Sequence, residues 1–207
     1  NQITGSSTTA GGTPVATAEY TYDKGGHRTS ETTRDLTAPG APPTTTTTGY
    51  DGSGRLSSVD APEHDLTYSY DALGRRVSEH LVTALSDRTT TQTWDDLTVS
   101  GRSDAEHGVT SYAYNPMGTL TAQSGSATGT GSWILGDALD SSIAQVGAAG
   151  AITQTSSWDA WGGQLFRTTG WDTRVGYTGE QTDAALGTVS FYARTYDPTT
   201  ASFTTPD

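Results

Sequence analysis

Apolar and polar residues alternate along this chain in short runs, and turn residues separate the runs. Tyr68-Ser69-Tyr70 alternates, Asp71-Ala72-Leu73-Gly74 interrupts, and Arg75-Arg76-Val77 begins the next run. A period of two is that of a half-buried strand. Asp at the first turn position accepts the backbone N–H groups that follow it, and Gly three residues on re-enters the second strand through a left-handed conformation. Only Gly takes that conformation without steric cost. The pattern therefore predicts strand, turn, strand, with positive φ at Gly74. One stretch, residues 132–146, carries Leu135, Leu139, Ile143 and Val146 at a helical 4-4-3 spacing. It is read as strand because Gly136 lies inside it. No helix beyond one or two turns is expected anywhere.

The same unit recurs. Tyr22-Asp23 leads to Gly26, Tyr50-Asp51 to Gly54, and Tyr70-Asp71 to Gly74. Tyr114-Asn115 leads to Gly118, and Trp158-Asp159 to Gly162. Trp94-Asp95-Asp96-Leu97 is a degenerate copy without Gly. The aromatic positions 22, 50, 70, 94, 114 and 158 are separated by 28, 20, 24, 20 and 44 residues, the last gap being two units of about 22. A fixed period in this range marks a repeat architecture, in which each hairpin buries its face by stacking on the next. Tyr20, Tyr22, Tyr50, Tyr68, Tyr70, Tyr112, Tyr114, Trp158 and Trp161 are expected to form a stacking ladder between units.

Between the units the patterning is weaker. Residues 1–19 are rich in Gly, Thr and Ala, with one strand or an incomplete repeat near 13–22. Residues 34–49 hold Pro39, Pro42, Pro43 and five consecutive Thr, which predicts a loop or an extended edge strand. Residues 81–98 read as two strands around Ser86-Asp87-Arg88, and 123–132 as a Gly/Ser/Thr loop. Strands at 142–146 and 151–156 are joined by the turn Gly147-Ala148-Ala149-Gly150.

Composition narrows the classes. Only 32% of the 207 residues are hydrophobic, with one Met but ten Tyr and five Trp, so the core is thin and aromatic. The net charge of −12 argues against a nucleic-acid partner, which needs clustered Lys and Arg. It fits a solvated acidic surface or an acidic inner wall holding a basic cargo. Without cysteine there is no disulfide and no thiolate metal site. No run of 18 apolar residues and no signal peptide is visible. The chain begins at Asn1 and is taken to be a piece of something longer. His27, His64, His80 and His107 are scattered without metal-ligand spacing. There is no Gly-x-Ser-x-Gly elbow, and the Gly-rich stretch 125–132 lacks the Lys of a phosphate loop. The repeated Asp residues lack the calcium-loop pattern and are assigned to turn capping. Neither a metal nor a cofactor nor a catalytic site is expected.

These units resemble the YD repeats of the Rhs/YD-repeat family, roughly Tyr-x-Tyr-Asp-x-x-Gly-Arg-Leu, a family related to Tc-toxin C components and teneurin YD shells. Residues 177–198 resemble its Rhs-associated core signature. Tyr177, Gly179, Asp183, Gly187, Tyr192, Arg194, Tyr196, Asp197 and Pro198 fall in register without a gap. Upstream, the stretch from Leu135-Gly136-Asp137 resembles the signature's Asp-x-Leu-Gly-Ser segment, with Gly-Ser replaced at Asp140-Ser141-Ser142. The resemblance runs from Tyr20 to the end. It implies an all-β fold of stacked antiparallel hairpins in a curved, spiralling sheet, a segment of a β-cocoon. The implied organisation is an N-terminal segment at 1–19, a repeat array at 20–176 and the core signature with its tail at 177–207.

The implied role is a non-enzymatic shell. It encloses or presents a C-terminal toxin or effector domain of the same polypeptide, in a bacterial protein that is secreted or held at the cell surface. Its partners are that domain and the rest of the shell. In the family a self-cleaving element with paired carboxylates follows the signature, and Asp207 aligns with its first acid. The family also places Gly-Arg-Phe after Asp-Pro-x-x, where this chain has Ala201-Ser202-Phe203. Two other classes compete. A self-cleaving peptidase is one. The other is an extracellular adhesion module presenting aromatic rings to glycans, which would lose its platform if Trp133, Trp158, Trp161 and Trp171 were buried between hairpins.

Overall fold

The computed structural model describes residues 2–125, 131–169, 173–192 and 194–206. Fifteen strands form one sheet in which each pairs antiparallel with the next in the chain. The first eight are β1 (Gly5–Ala10), β2 (Thr13–Tyr22), β3 (Arg28–Asp35), β4 (Thr44–Tyr50), β5 (Leu56–Ala61), β6 (His64–Tyr70), β7 (Arg76–Thr83) and β8 (Asp87–Asp95). The rest are β9 (Thr98–Asp104), β10 (Gly108–Tyr114), β11 (Leu120–Gly125), β12 (Gly131–Gly136), β13 (Ser142–Gly147), β14 (Ile152–Trp158) and β15 (Gln164–Arg167). Alternation decides which face is inward. In β6, Leu66 and Tyr68 are buried while Asp65, Thr67 and Ser69 are exposed. Among the described residues the only helical piece is a three-residue 3-10 turn, Tyr177–Gly179, and no helix is long and apolar enough to cross a membrane.

Every repeat turn joins an even-numbered strand to the odd-numbered strand after it, so all of them lie along one rim of the sheet. Asp71 shows how each is built. Its Oδ1 accepts the N–H groups of Leu73 and Arg75, both at 2.9 Å, and its carbonyl accepts the N–H of Gly74 at 3.0 Å. Burial would raise the Asp71 pKa, but the Arg75 N–H and guanidinium outweigh it and hold the carboxyl below the ordinary carboxylate range. Asp51, Asn115 and Asp159 repeat the two backbone contacts at 2.8–3.0 Å. The φ values of Gly26, Gly54, Gly74, Gly118 and Gly162 are +93°, +77°, +84°, +87° and +87°.

A further turn has the same geometry without the sequence pattern. Asp137 accepts the N–H groups of Leu139 and Ser141, and Asp140 fills the Gly position with φ +65°. Asp137 stands 22 residues from both Asn115 and Asp159, which divides the long gap into two units. Asp tolerates the left-handed region better than most residues, so the turn survives without Gly.

The units are tied by polar reach rather than by stacked rings. The hydroxyl of Tyr50 donates to the carbonyl of Arg28 at 2.8 Å, and that of Tyr70 to Leu56 at 2.7 Å. The indole N–H of Trp94 donates to Arg76 at 2.8 Å, and that of Trp158 to Ser142 at 3.0 Å. Each acceptor lies two residues past the Gly position of the turn of the preceding unit. Tyr22 likewise reaches Ile3 at 2.6 Å. The expected ring-on-ring ladder is therefore corrected. A tyrosine on a twisted ribbon can cover its neighbour and still need a partner for its hydroxyl, and the next carbonyl supplies one. Trp161 is outside this set, at 63% exposure. It occupies the third turn position, which in other units exposes Leu73, Met117 and Leu139.

Two loop expectations also change. Thr44–Tyr50 is an interior strand, paired with β3 on one side and β5 on the other. The prolines sit before it, so no ladder donor is lost, and β-branched Thr suits the pleat. The expected loop at 123–132 is shorter, because Gln123 to Gly125 extend β11 and Gly131 and Ser132 open β12.

A second sheet holds β16 (Gln181–Asp183), β17 (Thr188–Phe191), β18 (Arg194–Asp197) and β19 (Ser202–Phe203). It lies against the inward face of the first. Leu56, Val59, Leu66 and Tyr68 form one core cluster, with Ala185 and Leu186 packed on it. Leu120 and Ile134 form another with Val175. The contacts of β18 reveal the shape of the long sheet. Tyr196 bonds the carbonyl of Trp161, before β15, while its neighbour Asp197 bonds Arg28, the first residue of β3. Were the sheet flat, twelve steps of ~4.8 Å would set β3 and β15 roughly 55–60 Å apart. A four-residue strand spans only about 13 Å. The long sheet therefore curls around the small one.

Candidate functional site

The surface between the curled sheet and the C-terminal segment collects the chain's buried charges. Arg28 occupies the strand position two residues after Gly26, and Arg76 the same position after Gly74. In other units that inward position holds Leu56 or Leu120, both buried. A guanidinium placed there must find a partner inside, because an unpaired buried charge is prohibitively costly.

Both find an aspartate of the C-terminal segment. Arg28 Nη1 lies 2.6 Å from Asp197 Oδ2, and its Nη2 donates to the Thr200 hydroxyl at 3.0 Å. Its guanidinium also sits 4.3 Å from the centre of the Tyr20 ring. The Arg28 N–H donates to the carbonyl of Thr204 at 2.8 Å, and the hydroxyl of Thr48 donates to the Arg28 carbonyl. Arg76 Nη1 lies 3.4 Å from Asp183 Oδ2, which also accepts the Tyr68 hydroxyl at 2.7 Å. A third pair runs the other way. Arg174 reaches both oxygens of Glu79 at 3.0 and 3.1 Å, with the Glu79 side chain only 3% exposed. Burial would lower the arginine pKa values, but the facing carboxylates more than offset it and raise all three. Burial raises the Tyr68 pKa well above the ordinary phenol value, with the Asp183 charge acting in the same direction. Burial also raises Glu31, beside Arg28, and the Asp197 charge adds to it. The covered face thus carries both signs rather than an acidic wall.

The signature residues reach this surface from several directions. Tyr192 and Tyr196 donate at 2.6 and 2.9 Å to the carbonyls of Leu73 and Trp161, each the third residue of a repeat turn. Tyr177 donates to Ala160 at 2.9 Å. Gly179 and Gly187 have φ of +75° and +67°. Arg194 lies 3.8 Å over the Phe203 ring, in a cluster where Phe191, Tyr196 and Phe203 meet edge to face. Pro198 opens a turn that closes at Ala201, whose N–H donates to the Pro198 carbonyl and whose φ is +50°. Asp207 and Trp171 lie outside the described residues.

Three His–Asp pairs, His27–Asp23, His80–Asp87 and His107–Asp104, lie at 2.7–2.9 Å. In none of them does a Ser or Thr hydroxyl bond the ring among the described residues. Among those residues, too, no three His, Asp or Glu side chains converge as for a metal ion.

Sequence reasoning picked out Asp183 and Asp197 but missed their partners Arg28 and Arg76, and the pair Glu79–Arg174. A signal was present: an arginine in a strand position that alternation assigns to the core requires a buried acid. The Asp137–Asp140 turn was legible only through its spacing.

The curled single sheet and its filled inner face can be compared with known proteins. Residues 12–207 match the family model described as Teneurin YD-shell. No curated protein sequence matches the chain. Among solved structures, the crystal structure of TcdB2-TccC3 superposes with a TM-score of 0.60 at 14% identity, and the complex TcdB2-TccC3-Cdc42 with 0.62 at 14%. A Photorhabdus luminescens Tc holotoxin pore superposes with 0.63, also at 14% identity. Each comparison covers 94% of this chain and 12% of the other. Those structures share the fold, and the family match extends over nearly all of the sequence: the chain belongs to the YD-repeat proteins of the teneurin YD-shell family.

Proposed function

We propose that this chain is the closing segment of a YD shell that encloses a C-terminal toxin or effector domain of its own polypeptide, in a secreted or cell-surface bacterial protein. The observation that carries this reading is the seam. A sheet whose repeats tile by local contacts is fastened to one terminal segment by three buried ion pairs, which sets where the shell wall ends and turns inward. The residue groups divide accordingly. The array at 20–176 is wall, 177–207 is the inward-turning end, and 1–19 is a weakly patterned N-terminal segment. The fragment has no catalytic role of its own, and any cleavage that releases the cargo uses Asp207 together with an acid beyond it.

The test uses the parent protein with its downstream sequence. Limited proteolysis of the parent should leave the downstream domain intact, and Asp183→Asn with Asp197→Asn should expose it. Equal digestion of parent and double variant rules out enclosure by this seam. In the same preparation, mass spectrometry of the Asp207→Asn variant reads whether cleavage depends on that acid.

The glycan-binding reading retains one supporting observation, since Trp133 and Trp161 are 62% and 63% exposed. Trp158 does not help it, because its indole is committed to Ser142. A glycan array probed with the chain and with Trp133→Ala discriminates the two readings.

A further inference from the structure

The series of bonds from each repeat aromatic to the unit before it skips one step. Tyr50, Tyr70 and Trp94 donate to Arg28, Leu56 and Arg76, the residues paired with the preceding aromatics Tyr22, Tyr50 and Tyr70. The next aromatic is Tyr114, and the corresponding residue is Val99, paired with Trp94. That bond is not made, and among the described residues the Tyr114 hydroxyl has no hydrogen-bond partner. The turn between Trp94 and Val99 is the copy without Gly, one residue shorter than that between Tyr70 and Arg76. A cavity of about 150 Å³ lies where the step is missing, lined by Trp94, Val99, Tyr114, Val175, Glu180 and Tyr192 among others.

Glu180 sits between the Tyr177–Gly179 turn and β16. Among the described residues its partly buried carboxylate has neither a hydrogen bond nor an ion pair. No Lys, Arg or His falls outside those residues, so every side-chain cation of the chain is accounted for. Burial raises the Tyr114 pKa, and the charges of Tyr112 and Glu180 add to it, so carboxylate and phenol are neighbours without being bonded. Arg76 also lines the cavity, but its guanidinium is engaged by Asp183 at 3.4 Å and lies 5.1 Å from the centre of the Tyr68 ring.

The chemistry of the space follows from its walls. Its volume is roughly ten times the ~10–15 Å³ that one water requires. Water solvates a carboxylate, but an ammonium also neutralises it, and its three donors serve the phenol oxygen as well. Aromatic rings attract cations, and Trp94 and Tyr192 are held in place by bonds to the carbonyls of Arg76 and Leu73. Val99 and Val175 supply apolar surface for an attached alkyl chain.

We propose that the cavity beside the shortened turn binds a primary alkylammonium group, with Glu180 taking its charge and the Tyr114 oxygen accepting one of its N–H bonds. The source is a free amine or a lysine side chain of another segment. The chain's single lysine, Lys24, lies in the turn between β2 and β3. The proposal is independent of whether the shell encloses a cargo.

Isothermal titration of the purified 207-residue chain with n-butylamine and with Nα-acetyl-lysine amide tests it, at constant ionic strength and about pH 8, where an amine of pKa ~10.4 is charged. Saturable binding is expected, and the tighter of the two probes names the source. Tetramethylammonium has the charge but no donor and should bind at least about tenfold more weakly. Glu180→Gln should weaken amine binding at least about tenfold and Tyr114→Phe about threefold, with melting temperatures read alongside to verify folding. Glu63→Gln, which removes the same charge at an exposed turn, should leave it unchanged. Absence of saturable heat at millimolar amine overturns the proposal. So does equal binding of tetramethylammonium, or equal weakening by Glu180→Gln and Glu63→Gln.

Discussion

Within the array, side-chain bonds reach one unit back. Tyr70 meets Leu56 at a separation of 14 residues, and Tyr50 meets Arg28 at 22. Across the seam the separations are of another order: 95 residues for Arg174–Glu79, 115 for Tyr68–Asp183 and 169 for Arg28–Asp197. The chemistry changes with the distance. Array contacts are neutral bonds to backbone carbonyls and partly exposed turn pairs, whereas the seam adds buried charges to neutral bonds of that kind. Nearest-neighbour contacts add unit by unit and can form anywhere along the array. The seam must wait for the sheet to curl, since its loop-closure entropy is met only when distant elements are already placed. What the comparison teaches is a division of labour, in which the repeats extend the sheet unit by unit and the charges fix where the C-terminal segment seats on it.

The largest effect that can break this comparison is loss of one seam charge. Asp197→Ala leaves Arg28 buried without its carboxylate and should cost about 3–5 kcal/mol in urea unfolding. Replacing both, Arg28→Met with Asp197→Leu, should recover most of that loss. By contrast Arg55–Asp51, whose side chains are 25% and 26% exposed, should contribute under about 1 kcal/mol. Similar costs for the two pairs would erase the distinction between wall and seam.

Two glycines then separate the turn from its packing. Gly118 and Gly162 share φ +87°, but a Cβ on Gly118 meets nothing within 4 Å, while one on Gly162 meets Tyr177 Cδ1 at 2.6 Å. Gly118→Ala should cost about 1 kcal/mol from backbone strain alone. Gly162→Ala should cost about 2–3 kcal/mol, because it also pushes the C-terminal segment off the rim. Equal losses in thermal melts would mean that the segment sits loosely there.

A gain is expected at Ala201. It holds φ +50° at the position where the family pattern has Gly. Ala201→Gly relieves that strain and should stabilise the seam by up to about 1 kcal/mol, the freer unfolded chain offsetting part of it. Destabilisation instead would mean that the Ala201 methyl is packed and needed.

The wall was far more legible in the sequence than the seam. Period two, Asp-x-x-Gly spacing and a period near 22 are local patterns, and they located strands, turns and glycine conformations. Even the unit at Asp137 left its trace in the spacing, although Gly136 and Asp140 hide the motif. The seam is written in single residues far apart. Nothing near Arg76 names Asp183, and Arg28 resembles any surface arginine until alternation places it inside. Thr44–Tyr50 misled for a related reason: the prolines before it signal a break, but only the ladder shows that the break ends where the Thr run begins.

The smallest effect probes how dry the seam is. Burial alone raises the Glu180 pKa above the ordinary glutamate value. A carboxyl with a raised folded value holds its proton more firmly in the native chain than in the unfolded one. Its contribution to stability is therefore full below the unfolded value of about 4.5 and is lost as pH rises through the folded value. Glu180→Gln removes that loss. The melting temperature of the variant minus that of the parent should be near zero around pH 4 and grow positive as pH rises, levelling off toward neutrality. Asp51 and Asp71, whose folded values are lowered, lose stability in the opposite direction as pH falls below 3.8. They titrate alike in both proteins and cancel in the difference. A flat difference across the range would mean that water reaches Glu180, and that the dry part of the seam is confined to the three ion pairs.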